Sequence, residues 1–161
     1  MSTPETSALC LALAQALNAR GWMLSTAESC TGGLIAAHCT DLAGSSLWFD
    51  RGFVTYSNAA KTELLGVPAD LIAAHGAVSE PVARAMAEGA ARQARTRTAV
   101  AVTGIAGPSG GSADKPVGTV WLAWWIDGQL DADRQLFAGD RAAVRQATVH
   151  HALSGLLTRL R

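Results

Sequence analysis

Residues 26–33, Thr-Ala-Glu-Ser-Cys-Thr-Gly-Gly, lie between a short extended run at 22–25 and a run of small residues at 34–38. This order predicts a strand, a glycine turn and the N-terminus of a helix. The first N–H groups of a helix have no partner within it and lie at the positive end of its dipole. A hydroxyl beside them is therefore next to a site for an anion or an oxyanion. Ser29 carries that hydroxyl, and we predict that it is a nucleophile.

The composition favours one globular domain over residues 1–161. The chain is 49% hydrophobic and 16% charged, which suits a core that buries roughly two-thirds of the unfolded surface. Thirteen basic residues balance thirteen acidic ones, so the charge does not resemble that of a general nucleic-acid binder. We expect any anionic ligand to be held locally.

The lack of a recognisable targeting signal and the cysteine usage predict a cytoplasmic protein. The N-terminal region lacks the basic start of a signal peptide, and no apolar run approaches the roughly 20 residues of a membrane span. Cys10, Cys30 and Cys39 show no metal-ligand spacing, and three is an odd number for a disulfide framework. We therefore expect a reducing compartment and no membrane partner.

The rest of the chain predicts helices and strands in an α/β layered sandwich on a mixed sheet. Leucines at 9, 13 and 17 recur at helical spacing, and Gly21 follows them as a stop signal. Asp127-Gly128 predicts a β-hairpin, which argues against a purely parallel sheet. The other predicted strands are 22–25, 47–56 with a bulge at Gly52, 98–103 and 117–126, and the other predicted helices are 34–39, 59–65, 70–74, one opened by Ser79 and Pro81, and one capped by Asp140.

Three polar segments each follow a predicted strand. They are Ser29, Tyr56 and Thr103-Gly104. Ligands of open α/β sheets bind beyond the carboxyl ends of the strands, so these segments are predicted to converge on one site. The glycine-rich loop at 104–112 is interpreted as a wall or a mobile lid of that site, although it could also be only a flexible connection.

A serine nucleophile needs a base, and the sequence favours Lys61. The four histidines lie in or beside predicted helices, away from the glycine turns. Lys61 falls in the first turn of a helix, where the dipole disfavours positive charge and so favours the neutral amine. Tyr56 could relay the proton. Cys30 is the weaker nucleophile candidate, because the neighbouring Glu28 disfavours a thiolate.

Each of these residues also has a structural interpretation. The serine turn could be a helix cap, Tyr56 a half-buried strand residue and Lys61 a solvated surface charge. Arg141 and Arg145 share a face near the start of the last helix, where a bound phosphate would explain both. Pairing with Asp140 or another carboxylate explains them equally well.

Taken together, the motifs resemble those of the CinA C-terminal domain family. The matching segments are 27–33 (Ala-Glu-Ser-Cys-Thr-Gly-Gly), 52–58 (Gly-Phe-Val-Thr-Tyr-Ser-Asn) with Lys61, 76–79 (Gly-Ala-Val-Ser), 103–108 (Thr-Gly-Ile-Ala-Gly-Pro) and 115–120 (Lys-Pro-Val-Gly-Thr-Val). The resemblance implies an α/β/α sandwich, a homodimer, and hydrolysis of nicotinamide mononucleotide to nicotinic acid mononucleotide and ammonia in pyridine-nucleotide recycling. It also implies a site without metal or cofactor, in which Tyr56 and Lys61 activate Ser29.

The expected substrate contacts combine the resemblance with the residue patterns. Backbone N–H groups of the serine turn are expected to stabilise the oxyanion, with the ribose near the glycine loop and the phosphate near an arginine. These positions are Cys30, Thr31, Gly32, Gly33, Thr103, Gly104, Arg141 and Arg145.

Two alternative functions stay open. One is a different serine amidase or a penicillin-recognising-type hydrolase, although the Ser-x-x-Lys spacing normal for it is absent here because the third residue after Ser29 is Gly32. The other is a non-catalytic nucleotide-binding or competence- or damage-associated regulatory dimer.

Overall fold

A five-stranded mixed sheet forms the centre of the computed structural model, which describes residues 2–161. The strand order is β2-β1-β3-β4-β5. β1 is parallel to both β2 and β3, whereas β4 is antiparallel to both β3 and β5. The strands are β1 Leu24–Glu28, β2 Phe49–Val54, β3 Thr98–Gly104, β4 Thr119–Ile126 and β5 Gln129–Leu136. The predicted mixed sheet is therefore confirmed.

Six helices cover the two faces of the sheet, three on each face. They are α1 Pro4–Arg20, α2 Leu34–Thr40, α3 Asn58–Leu65, α4 Ala69–His75, α5 Glu80–Ala94 and α6 Arg141–Arg159. One hydrophobic core joins α1, α2 and α6 to the sheet, and a second joins α3, α4 and α5 to its other face. The predicted three-layer α/β/α sandwich is confirmed. Within residues 2–161, none of the helices has both the length and the apolar character needed to cross a bilayer.

The alternation of side chains along β3 shows how one strand serves both cores. Val100 and Val102 belong to the core beneath α1, α2 and α6, whereas Ala99 and Ala101 face the α5 side. The small alanines on the second face match the alanine-rich surface of α5. On the first face, Val100 and Val102 share a core with the buried Trp124 of β4.

Two turn predictions are confirmed by their backbone angles. Gly21 ends α1 in the left-handed conformation, with φ of 62°. Asp127 and Gly128 both have positive φ, 47° and 89°, as a two-residue hairpin turn between β4 and β5 requires.

The predicted strand at 47–56 needs correction. Ser45–Leu47 form a 3-10 turn, and β2 spans only Phe49–Val54. The register passes from Leu24 opposite Phe49 to Ser25 opposite Arg51, so the extra residue lies at position 50 and Gly52 pairs normally with Thr26. A Cβ at Gly52 would lie 2.8 Å from the Thr26 Oγ1, so this glycine is required by close approach and not by a bulge.

Candidate active site

The carboxyl ends of β1, β2 and β3 surround a cavity of about 200 Å³. The predicted convergence of three strand ends is thus present in the structure. The predicted site residues that line the cavity are Ser29, Cys30, Tyr56, Lys61, Thr103, Gly104 and Arg141. Asn58, Ala77, Val78 and Ala106 complete the lining.

Ser29 and Lys61 form a buried hydrogen-bonded pair at the base of the cavity. The Lys61 Nζ lies 3.1 Å from the Ser29 Oγ, and only 1% of Lys61 and 8% of Ser29 is exposed. The Lys61 Nζ also donates to the carbonyl oxygens of Thr55, at 2.9 Å, and Tyr56, at 3.3 Å. Burial lowers the pKa of Lys61, because the charged amine loses its hydration.

Local structure explains why these two side chains meet. The Ser29 amide donates to the Val102 carbonyl at 3.1 Å, so the serine directly extends the pairing of β1 with β3. The Ser57 side chain caps α3 by accepting from the Ala60 amide at 3.0 Å. Because helical side chains lean towards the N-terminus, Lys61 in the first turns of α3 reaches back to the end of β2.

The phenol of Tyr56 lies at the mouth of the cavity. Its hydroxyl accepts a hydrogen bond from the Arg141 Nη2 at 3.2 Å, and 61% of the residue is exposed. Across residues 2–161, no hydrogen bond joins this hydroxyl to Ser29 or Lys61; the contact to Lys61 comes from the Tyr56 backbone carbonyl. The role of Tyr56 in activating the serine stays a prediction.

The serine turn is closed by Glu28, a residue whose structural role the sequence did not reveal. Its carboxylate accepts from the Thr31 hydroxyl at 2.6 Å and from the amides of Ile35, at 2.8 Å, and Ala36, at 3.0 Å. The start of α2 therefore already binds an anion, the Glu28 carboxylate, and the amides of Ile35 and Ala36 are engaged by it. The only signal in the sequence is a carboxylate that precedes a glycine turn and a helix, which is typical of a cap.

The turn ahead of α2 still offers free donors. Gly32 and Gly33 have positive φ, 59° and 104°, and the Gly32 amide is used by the Ser29 carbonyl at 3.1 Å. Within the described residues, the amides of Cys30 and Thr31 donate to no acceptor of another residue. Cys30 lines the cavity beside Ser29, whereas Thr31 is fully buried and lies outside its lining, so the Cys30 amide is the candidate oxyanion donor.

Helix α6 supplies two arginines that behave differently. Arg145 donates from Nε to the Cys30 carbonyl and from Nη2 to the Thr31 carbonyl, each at 3.2 Å. Arg141 donates to the Gly107 carbonyl at 2.9 Å, besides its contact with Tyr56. The Asp140 side chain caps α6 through the Ala143 amide, and within residues 2–161 no ion pair joins it to either arginine. The alternative pairing of the arginines with Asp140 is therefore wrong.

A second cavity, of about 620 Å³, adjoins the first. Both arginines line it, and Arg141 and Ala106 line the two cavities together. Pro108 and Val117 belong to its wall, so the glycine-rich segment and the turn before β4 form one side of it. The Thr103 hydroxyl donates to the Ala77 carbonyl at 2.9 Å and helps fix the end of β3 beside the smaller cavity.

The other reactive side chains are poorly placed for chemistry. Burial raises the pKa of the Cys30 thiol to about 12, so it stays protonated beside Ser29. No histidine lines the smaller cavity. Within residues 2–161, no group of three or more His, Cys, Asp or Glu side chains is arranged to hold a metal ion.

The structure thus defines an α/β/α protein with a buried serine–lysine pair at the carboxyl edge of its sheet. The sequence matches the family described as the CinA C-terminal domain over residues 6–160, so the chain belongs to that family.

Similar proteins agree with this assignment. The chain is 53% identical over 157 residues to the nicotinamide-nucleotide amidohydrolase PncC of Escherichia coli strain K12, covering 97% of this chain and 95% of that protein. It is 56% identical over 151 residues to the protein of the same name from Enterobacter agglomerans, covering 92% of each. The crystal structure of the competence/damage inducible protein CihA from Agrobacterium tumefaciens has a TM-score of 0.95 and 46% identity, and covers 98% of both chains.

Proposed function

We propose that this chain is a nicotinamide-nucleotide amidohydrolase that converts nicotinamide mononucleotide and water to nicotinic acid mononucleotide and ammonia. The names of close relatives support the reaction, and one observation supports the chemistry. The Ser29 Oγ lies 3.1 Å from a buried amine whose pKa is lowered. A serine becomes an effective nucleophile only when a neighbouring base takes its proton, and a desolvated lysine is such a base.

The hydrogen bonds of Lys61 define the direction of proton transfer. A neutral amine has two N–H bonds and one lone pair. When the amine is neutral, the carbonyls of Thr55 and Tyr56 accept its two N–H bonds, which leaves the lone pair for the Ser29 hydroxyl 3.1 Å away. Lys61 then takes the hydroxyl proton while the Ser29 Oγ bonds to the carboxamide carbon of the pyridinium ring, whose positive charge makes that carbon more electrophilic.

The tetrahedral intermediate carries its negative charge on the former amide oxygen. The amide of Cys30, which lines the cavity, stabilises it, and one such donor typically lowers the barrier by about 3–4 kcal/mol. The proton held by Lys61 passes to the amide nitrogen as the carbon–nitrogen bond breaks, and ammonia leaves. The product of this step is an acyl ester on Ser29 with a neutral Lys61.

A water molecule completes the reaction by the same route. Lys61 takes a proton from the water, the hydroxyl oxygen bonds to the ester carbon, and the Ser29 oxygen leaves with the proton returned by Lys61. Nicotinic acid mononucleotide is released and the site is restored. We place this reaction in pyridine-nucleotide recycling, with Tyr56 and Arg141 contacting the substrate at the mouth of the cavity.

Ammonia release from nicotinamide mononucleotide tests this proposal directly. Ser29→Ala removes the nucleophile and should lower turnover by at least about 10³-fold without a change in melting temperature. Ser46→Ala is the matched control, because Ser46 is exposed and lies outside both cavities. Near-normal turnover by Ser29→Ala would exclude the serine mechanism. A wild-type protein that binds the nucleotide without releasing ammonia would instead support a non-catalytic binding module.

A further inference from the structure

Glu28 is a buried carboxylate next to the proposed nucleophile that takes no part in the proposed proton transfers. It is 1% exposed, at the end of β1. Its Oε1 accepts from the Thr31 hydroxyl and the Ile35 amide, and its Oε2 accepts from the Ala36 amide. Burying a charge is costly unless it is paired and hydrogen-bonded, so these three donors and the positive end of α2 account for its burial.

The three bonds span the whole serine turn. Glu28 precedes residues 29–33, Thr31 lies within them, and Ile35 and Ala36 begin the helix that follows. One side chain therefore ties the strand end to both the middle of the turn and the helix start. Two glycines with positive φ give the turn a conformation that its other side chains do not specify.

Arg145 contacts the same turn with the opposite hydrogen-bonding role. It donates to carbonyls of the turn, whereas Glu28 accepts from N–H and O–H groups. The carbonyls are those of Cys30 and Thr31. In a planar trans peptide the carbonyl and the following N–H point in opposite directions. A Cys30 carbonyl held towards α6 therefore directs the Thr31 amide away from α6.

We infer that Glu28 is a positioning residue for the proposed reaction. It fixes the turn so that the Ser29 Oγ stays within hydrogen-bond distance of Lys61 while the Cys30 amide stays available to the oxyanion. This inference rests on the proposed function. In this role Glu28 affects the rate of the chemical step. It affects neither substrate binding nor the pKa of Lys61.

Glu28→Gln separates these roles because it keeps the shape of the side chain. The Gln amide nitrogen is a donor, so it cannot accept from the Thr31 hydroxyl, Ile35 or Ala36, and at least one of the three contacts is lost or reversed. A small displacement of a reacting group costs up to about 10²-fold in rate. We expect kcat to fall about 10- to 100-fold, with KM and the pH midpoint of kcat unchanged.

Two further measurements make the test independent of substrate and of fold. The rate at which a fluorophosphonate probe labels Ser29 reports the reactivity of the serine alone, and Ser29→Ala gives the background. Glu88→Gln, at an exposed position of α5, is the matched control and should behave as wild type. Thr31→Val removes one of the three donors and should slow labelling in the same direction but less than Glu28→Gln.

The outcomes separate the inference from the proposed function. Slower labelling and lower kcat in a Glu28→Gln protein that is folded by circular dichroism support the inference. If Glu28→Gln does not fold, Thr31→Val decides by the same labelling rate. Wild-type labelling in the folded variants, or a loss confined to KM, overturns the role of Glu28. A wild-type protein that neither releases ammonia nor is labelled at Ser29 overturns the proposed function itself.

Discussion

At the scale of single residues, the site depends on the environment of one amine. Lys61 lies early in α3, where the helix dipole disfavours positive charge, but burial is the leading cause of its lowered pKa. The two carbonyls it contacts oppose this effect, since they also stabilise an ammonium. Desolvation therefore has to exceed their contribution for the amine to be neutral near physiological pH.

The rate of the proposed reaction should follow the protonation of Lys61. Because only the neutral amine can accept the serine proton, kcat/KM should rise with pH through the pKa of Lys61, which lies below the usual 10.5, and then level off. Lys61→Met should lower kcat about 10²- to 10⁴-fold and abolish this rise. Ammonia release measured across the pH range checks both expectations; an unchanged pH profile in Lys61→Met would assign the base elsewhere.

The same pKa shift predicts a dependence of stability on pH. Between the lowered pKa of folded Lys61 and about 10.4, the ordinary value for lysine, the unfolded chain binds a proton that the folded chain does not. The free energy of unfolding should therefore rise with pH across this interval through Lys61. The raised pKa of Cys30 acts in the opposite direction, because the folded thiol keeps its proton while the unfolded one loses it.

The difference between wild type and Lys61→Met reports mainly the lysine contribution, since Cys30 is present in both proteins and Lys61 is the smallest of the causes that shift the pKa of Cys30. Thermal unfolding at a series of pH values should show wild-type stability increasing relative to the variant as pH rises. Parallel curves would mean that Lys61 has an ordinary pKa in the folded protein.

The sequence alone predicts part of this site. The meeting of Ser29 and Lys61 was predictable because a glycine turn after one strand and a lysine early in the helix after another strand are local patterns. The side-chain contacts that fix the serine turn were not predictable. Glu28 acts through amides seven and eight residues later, and Arg145 through carbonyls more than 110 residues earlier in the chain. Such contacts follow from tertiary packing and leave no periodic signal.

At the scale of secondary-structure elements, α6 packs closely against Trp124 of β4. A Cβ at Gly155 would lie 2.4 Å from the Trp124 Cζ2, and the Trp124 Nε1 donates to the Ala152 carbonyl at 3.0 Å. The tryptophan ring therefore lies directly against the backbone of α6. A glycine within a helix usually destabilises it relative to alanine, so its presence here reflects packing.

Gly155→Ala should destabilise the protein by about 1–3 kcal/mol, as is typical of overpacking. Because alanine is the better helix former by about 1 kcal/mol, the loss should shrink or reverse in a Trp124→Phe background, where the ring is smaller. Chemical denaturation of the two single variants and the double variant measures this coupling. Equal effects of Gly155→Ala in both backgrounds would contradict the contact.

The hairpin between β4 and β5 and the strand β2 show which features local sequence patterns predict and which they do not. The Asp127-Gly128 hairpin was predictable, because its two residues carry the backbone requirement themselves. The limits of β2 and its extra residue at position 50 were not, since strand register is decided by the partner strand. Gly52 was interpreted as a bulge from its residue type, whereas its reason is the Thr26 side chain on β1.

At the scale of the whole molecule, the site is assembled from distant parts of the chain. The serine turn, the start of α3, the end of β3 and the start of α6 meet around two adjoining cavities. Both arginines make two hydrogen bonds, but Arg141 is exposed and lines both cavities, whereas Arg145 lines only the larger one. Arg141 is therefore the better candidate for the substrate phosphate. The homodimer expected from the family resemblance stays a prediction.

Arg141→Ala should therefore discriminate between substrates. Loss of a hydrogen bond to a charged group costs about 1.5–3 kcal/mol, so kcat/KM for nicotinamide mononucleotide should fall by about 10- to 100-fold. Nicotinamide riboside, which lacks the phosphate, should be affected much less. Arg97→Ala, an exposed arginine immediately before β3 at the opposite end of the sheet, is the control and should leave both substrates unchanged. Equal losses on the two substrates would show that Arg141 serves to hold Tyr56 and the Gly107 carbonyl, because those contacts are independent of the phosphate.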